Sequence, residues 1–253
     1  FGGSPILKHH ARVYNCTVSF VDRARFFQEC FYLLLCGCGT GFSVQKHHVA
    51  KLPRIAAVPA RPATMLYVIP DTIEGWADSL GVLMSSYFDG VVPFPEYQGY
   101  RVVFDASNVR AKGAAISSGS KAPGPEPLLK ALALAEKVIQ NAIALGQTRL
   151  EPIDAYDIIM HASDAVLAGG VRRSASIALF SAHDAVMAAA KTGSWYSENP
   201  QRQRSNNSAI MLRDSTSYAE FRALVQMTVE FGDPGFVWTD SLELVVNTCV
   251  EIG

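Results

Sequence analysis

Ser174-Ala175-Ser176-Ile177-Ala178-Leu179-Phe180 is a short, nearly unbroken apolar run. It follows Ile153–Leu167, a stretch with helical apolar spacing that stops at Gly169-Gly170. The pair predicts a helix feeding a buried strand, because a run of seven residues is too short for a helix and carries no polar face. The same alternation continues in both directions. Upstream, Leu128–Leu145 predicts a helix stopped by Gly146. Downstream come a short strand at Ser208–Leu212, a helix at Thr216–Glu230 capped by Ser215 or Ser217, a turn at Asp233-Pro234-Gly235 and a strand at Phe236–Trp238. Nearer the start, Ala24–Cys36 reads as a buried helix and Phe42-Ser43-Val44 as extended. Tyr67-Val68-Ile69 and Tyr100–Phe104 read as strands, and Glu74–Phe88 as an amphipathic helix capped within Pro70-Asp71-Thr72. Short strands alternating with helices of ten to eighteen residues predict an α/β fold. About five or six strands form a parallel sheet with crossover helices, either an open sheet or half of a barrel.

Bulk properties narrow the class. The 253 residues are 49% hydrophobic and 18% charged, with a net charge of −1. That balance suits a globular enzyme and gives no field of the kind that draws DNA, RNA or an anionic membrane. No apolar run reaches the length of a transmembrane helix. The first residue is Phe1 and no signal peptide is visible, which predicts a fragment without its native start. Five cysteines in such a chain favour a reducing cytoplasm, with any disulfide catalytic rather than structural.

Several segments carry chemistry-bearing residues. Near the end, Asn247-Thr248-Cys249-Val250-Glu251-Ile252-Gly253 sets a thiol and a carboxylate two positions apart. In extended backbone both face one side, as nucleophile or hydrogen-atom abstractor and as general base. A second thiol, Cys16, sits in the polar turn Tyr14-Asn15-Cys16. Gly37-Cys38-Gly39-Thr40-Gly41 reads as a turn, either close-packed or offering backbone N–H groups to a nucleotide; its order, helix before and strand after, is the reverse of a dinucleotide fingerprint. Cys36 and Cys38 are spaced for metal thiolates, but adjacent His47-His48 on a strand would point to opposite faces, so Cys36 reads as core and no metal site is assigned. Arg172-Arg173 suit an anion or a salt bridge. Asn199–Ser208 reads as a surface loop or the wall of a polar pocket. Ala111–Pro127, rich in Gly, Ser, Ala and Pro, reads as a long irregular loop of the functional kind.

Taken together these segments resemble the catalytic subunit of ribonucleotide reductases. The similarity is closest to the monomeric, adenosylcobalamin-dependent type and its cyanobacterial and phage relatives. It rests on Tyr14-Asn15-Cys16, Leu33–Val44, Asp71-Thr72-Ile73-Glu74-Gly75-Trp76 and Phe104-Asp105-Ala106-Ser107-Asn108-Val109-Arg110. It continues through Lys121-Ala122-Pro123-Gly124-Pro125, Gly169–Ala175, Asn199–Ser208, Gly232-Asp233-Pro234-Gly235-Phe236 and Asn247–Gly253. The resemblance implies that residues 1–253 form the first half of a ten-stranded α/β barrel, with the start of a central finger loop and with N- and C-terminal parts missing. It implies reduction of ribonucleotides to 2′-deoxyribonucleotides for DNA synthesis. Cys249 would be the thiyl-radical residue, Glu251 the base on the 3′-hydroxyl, and Asn247 the hydrogen-bond donor beside it. Cys16 would be one of two reducing thiols, and Asn15 would lie beside the substrate.

The same resemblance places a deoxynucleotide effector at Asp105, Asn108, Arg110 and Lys112, with Gly39 and Gly41 on a neighbouring loop. Implied partners are the ribonucleotide, the dNTP effector and a thioredoxin-like or other dithiol reductant, in the cytoplasm (a host's, if viral), with no DNA, RNA or membrane. Adenosylcobalamin is the implied radical source. The alternatives are a metal-containing, radical-generating partner subunit and a glycyl-radical enzyme of similar barrel fold. In one departure from the family, Thr248 stands where proline is usual. No ATP-cone domain is visible upstream.

Overall fold

The computed structural model describes residues 7, 10–56, 63–115, 121–168 and 175–250. A 3-10 turn at His10–Val13 leads into β1 (Cys16–Phe20), α1 (Phe26–Cys36), β2 (Gly39–Ser43) and the short α2 (Lys46–Val49). Next come β3 (Arg54–Ile55), β4 (Thr64–Val68), α3 (Ile73–Tyr87), β5 (Phe88–Asp89) and β6 (Arg101–Asp105). Then follow α4 (Glu126–Ala144), α5 (Pro152–Ala168), β7 (Ser176–Ser181), α6 (Ala185–Ala188), α7 (Trp195–Glu198), β8 (Ser205–Leu212), α8 (Tyr218–Phe231) and β9 (Gly235–Thr239).

The main sheet has five strands in the order β1-β2-β7-β8-β9, and every pairing in it is parallel. Each strand is thus added to the same side of the one before. Right-handed crossovers then put all the connecting helices on one face. On that face Phe42, Ala178, Phe180, Ala209 and Met211 are buried in the main core with Phe26, Phe27, Phe31 and Leu34 of α1 and Tyr156, Ile158 and Ile159 of α5. The other face carries a smaller cluster, in which Ile177, Leu179 and Ile210 meet Val245 and Val246 of the segment after β9. Beside the main sheet, β4 and β6 form a separate parallel pair and β3 and β5 an antiparallel one.

Local chemistry sets the ends of the helices. Gly37 adopts φ +86° and its N–H returns to Leu34, which closes α1 in the left-handed conformation that glycine takes without strain. The Thr72 hydroxyl accepts from Gly75 N and starts α3. For α8 the cap is Ser217: its hydroxyl accepts from Glu220 N at 3.2 Å, and Glu220 accepts from Ser217 N at 2.8 Å. Ser217→Ala is expected to cost about 1 kcal/mol in urea unfolding, the usual worth of such a cap.

The structure corrects four sequence expectations. Gly39-Thr40-Gly41 is buried strand, not turn, because Gly37 alone reverses the chain. Asn206 and Asn207 lie inside β8 rather than ahead of it. The 111–127 stretch carries an antiparallel bridge, Ala115 with Lys121, backed by Gly113 N to Ala122 O at 2.9 Å and Ala122 N to Ala114 O at 2.8 Å, and α4 starts at Glu126. His47 and His48 sit on helix α2, not on a strand, so both rings reach one side. Glu251, Arg172 and Arg173 lie outside the described residues.

Candidate active site

Strand β2 makes the floor of the site. Its alternation turns Gly39, Gly41 and Ser43 to one face and Thr40 to the other, where Thr40 bonds Ser176 at 3.1 Å. Over the glycine face runs the segment 242–248, opposite in direction to β2. A Cβ added at Gly41 would lie 2.0 Å from Val246 O, and one at Gly39 would lie 2.4 Å from Thr248 Oγ1. Two absent side chains therefore let one backbone lie directly on another, the close approach that glycine permits. Gly41→Ala is expected to push the segment off the sheet, since the obstacle is backbone. We expect oxidative cross-linking between Cys16 and Cys249 to slow by about a hundredfold, as ångström-scale misplacement of reacting groups does. Gly39→Ala should do less, because the Thr248 side chain can rotate away.

At the end of this segment the chain turns sharply. Val250 N donates to Asn247 O at 3.0 Å, with Thr248 and Cys249 at the corner. Val250 follows at φ +61°, a left-handed conformation that a β-branched residue adopts only under strain. The turn brings Cys249 Sγ to 3.9 Å from Cys16 Sγ, across 233 positions of sequence. Thr248 Oγ1 stands 3.1 Å from Cys16 Sγ, and Asn15 Nδ2 donates to the same sulfur at 3.4 Å. Thr248, where proline was expected, thus contributes a hydroxyl to the thiol pair, and the turn closes without proline. Asn247 is buried just behind.

The five cysteines divide cleanly. Cys30, Cys36 and Cys38 are buried, and burial pushes the Cys30 thiol up to about 12, so it stays a protonated core group. Cys249 is exposed and Cys16 half-buried, and neither is in a disulfide. The pair that meets is also the pair that reagents can reach.

The segment feeding this turn is held at its start. Gln45 Nε2 donates to Leu242 O at 2.6 Å. Glu243 spans both histidines, Oε1 to His47 Nε2 and Oε2 to His48 Nε2, each at 3.0 Å. The three donor groups lie within 4.8 Å of one another, a spacing a metal ion would also accept. Hydrogen bonds link the same groups. Ser43 Oγ accepts from Gln45 N and Gln45 Nε2, both at 3.2 Å, so its own proton goes to His48 Nδ1 at 2.9 Å. That leaves the ring proton on His48 Nε2, directed at Glu243. Burial lowers the His48 pKa, and the bond from His48 holds the Glu243 carboxyl below its ordinary range.

The proposed effector residues lie elsewhere. Asp105 ends β6 and accepts from Ser107 N at 2.8 Å, which holds its carboxyl low. Arg110 pairs with Asp71 at 2.6 Å. Asn108 and Lys112 are exposed, and Lys112 backbone packs on Gly124. Gly39 and Gly41 make their contacts with Val246 and Thr248 instead, so the structure groups them with the thiol pair.

Sequence reading missed the polar network around Asn199–Ser208. Arg202 forks onto Asp157, Nε to Oδ1 at 2.9 Å and Nη2 to Oδ2 at 2.7 Å, and donates to Ala190 O. Gln201 adds a bond to Asp157, and Tyr156 OH meets Ser205 Oγ at 2.9 Å. Lys191 pairs with Asp233, which also accepts from Asn207 N. This is buried scaffolding rather than a pocket wall; the density of Asn, Gln and Arg in that segment was the available signal.

Comparison with known proteins bears on the family and the fold. Residues 49–139 match the family profile described as B12-dependent ribonucleotide reductase, insertion domain. The adenosylcobalamin-dependent ribonucleoside-triphosphate reductase of Levilactobacillus brevis is 33% identical over 172 residues, 68% of this chain and 22% of the relative. The enzyme of that name from Lactobacillus leichmannii is 28% identical over 243 residues, 85% of this chain and 32% of the relative. The chain is related to the B12-dependent ribonucleotide reductases. It spans about a third or less of those relatives' length. A solved B12-dependent (class II) ribonucleotide reductase superposes with a TM-score of 0.72 at 23% identity, over 90% of this chain and 37% of that one, and so shares its α/β fold. Within this ribonucleotide reductase relative, the profile match runs from the end of α2 into α4 and takes in β3 to β6.

Proposed function

We propose that the protein carrying this chain reduces ribonucleotides to 2′-deoxyribonucleotides by thiyl-radical chemistry, with Cys249 as the radical residue and Cys16 as a reducing thiol. One observation carries the reading: two thiols outside any disulfide, distant in sequence, stand 3.9 Å apart at the end of a parallel sheet, beneath a loop seated on glycines.

Each residue type suits its part. A 2′-hydroxyl leaves poorly from an intact sugar. Removal of the 3′ hydrogen by a sulfur radical at Cys249, with the 3′-hydroxyl deprotonated by Glu251, makes that departure easy. Asn247 would orient that hydroxyl, and Asn15 would bind beside the sugar. Two electrons must then reach the ribose, and Cys16 supplies its share as one half of a dithiol that closes to a disulfide. An outside dithiol, thioredoxin-like or otherwise, would restore it, which fits a reducing cytoplasm. Adenosylcobalamin, when bound, would supply the initial radical; Cys249, exposed at the loop tip, is the group on this chain that such a radical would reach. The named relatives are adenosylcobalamin-dependent triphosphate reductases, so we extend that cofactor and a ribonucleoside triphosphate substrate to this protein. No observation favours a radical-generating partner subunit or a glycyl-radical enzyme.

We further read the five-stranded sheet as half of a ten-stranded barrel. Its helices lie on one face and the 242–248 segment on the other, as a finger loop inside a barrel would. The β6 end, with Asp105, Asn108, Arg110 and Lys112, would take the deoxynucleotide effector, and the ribbon at 113–122 would be the element that effector orders. The test is an assay of the full-length protein with ribonucleoside triphosphate, adenosylcobalamin and a dithiol. Deoxyribonucleotide formed only when cobalamin is present is the expected result. Absence of product, or product formed equally well without cobalamin, would refute this reading.

A further inference from the structure

We infer that Gln45, His47 and His48 are positioning residues for the thiol pair, acting through Glu243 and Leu242 to fix where the finger segment lies along β2. The inference deepens the function proposed above but stands on its own geometry.

The segment leaves β9 at Thr239 and reaches Cys249 ten positions later. Between them, apolar contact alone would leave its register along the sheet weakly set. Val245 and Val246 pack on Ile177, Leu179 and Ile210, a smooth aliphatic surface that tolerates sliding. The glycine floor fixes the height of the segment and not its position along the strand. Register needs directional bonds; besides the Thr248 contact with Cys16 at the tip, a cluster of them holds the start of the segment. Glu243 is tied through both carboxylate oxygens, and the neighbouring Leu242 carbonyl through Gln45.

The anchor itself is rigid. His48 is buried, its Nδ1 fixed by Ser43 at the C-terminal end of β2, and its ring packs against Phe20 at the end of β1, with centroids 4.5 Å apart. The His47 ring lies against it, tilted by 47° with centroids 3.9 Å apart. The clamp is therefore built on the two strands whose opposite ends carry Cys16 and the Gly39 seat of Thr248. The chain between Glu243 and the turn at Thr248-Cys249 runs along β2, so a slip of one strand residue at the clamp would carry Cys249 about 3.3 Å along the sheet. That is enough to part sulfurs now 3.9 Å apart.

The experiment is diamide cross-linking of the chain, read by mapping of the Cys16–Cys249 peptide. The two thiols lose two electrons and two protons, and the diazene becomes a hydrazine. Glu243→Ala should slow formation of this disulfide by about tenfold, equivalent to 1.4 kcal/mol of positioning. Glu243→Gln, which keeps an acceptor for His48 and offers its amide to the half-exposed His47, should recover most of the rate. Thermal unfolding should show Glu243→Ala folded at the assay temperature. If it is not, His47→Ala, at a half-exposed position, replaces it, with an expected slowing of about threefold. Cross-linking at the wild-type rate in the variant used would overturn the clamp, as would a Glu243→Gln variant no faster than Glu243→Ala. If the wild-type chain itself formed no Cys16–Cys249 disulfide, the thiol pair, and with it the proposed function, would fail instead.

Discussion

Replacing Cys249 with alanine in the full-length protein is expected to lower deoxyribonucleotide formation by on the order of 10⁴-fold or more, the scale seen when a covalently acting residue is removed. The loss should appear in kcat, since the thiol acts on bound sugar and contributes little to holding it. Serine should be no better, because an O–H bond is far harder to break homolytically than S–H. Cys16→Ala separates the two sulfur roles. It too should yield no deoxyribonucleotide, yet hydrogen exchange at the substrate 3′ position should persist, because the proposed mechanism gives that step to Cys249 alone. A Cys249→Ala enzyme that keeps even a tenth of its turnover would end the radical assignment. A Cys16→Ala enzyme that forms product normally would end the reducing role of Cys16.

The second large effect concerns stability. Asp157→Ala is expected to cost about 3–5 kcal/mol, the range for removing one partner of a buried ion pair. Arg202 would be left with its guanidinium only 13% exposed and one carbonyl to bond. Gln201 would lose a bond as well. In a chain of this size the loss should lower the melting temperature by about 10 °C. Asp157→Asn, which keeps one acceptor, should cost less. Replacing both partners with apolar residues of similar size should restore much of the loss, since the penalty comes from a stranded charge rather than a missing attraction. A circular-dichroism melt of the single and double variants checks the order. An Asp157→Ala chain as stable as the parent would show that water reaches Arg202 freely.

The periodicity of the sequence determined most of the elements. Leu128–Leu145 and Ile153–Leu167 proved to be helices within two residues at each end, and Ser174–Phe180 holds a strand buried on both faces. Hydrophobic spacing is local and survives folding unchanged, so parallel α/β architecture followed from it. Element edges were less legible: Ser205–Asn207 extends β8 because parallel pairing with Ser176–Ala178 recruits polar residues that no propensity favours. What only the tertiary structure decided is which distant residues meet. No local signal says that Gly39 and Gly41 are a bed for Val246 and Thr248, since a glycine announces freedom and not the neighbour that needs it. The histidine clamp was equally hidden, because it depends on Glu243 arriving from nearly two hundred positions away. Strand order set these contacts: with β1 beside β2 and the final segment laid back over β2, two sulfurs from opposite ends of the sequence come to one place.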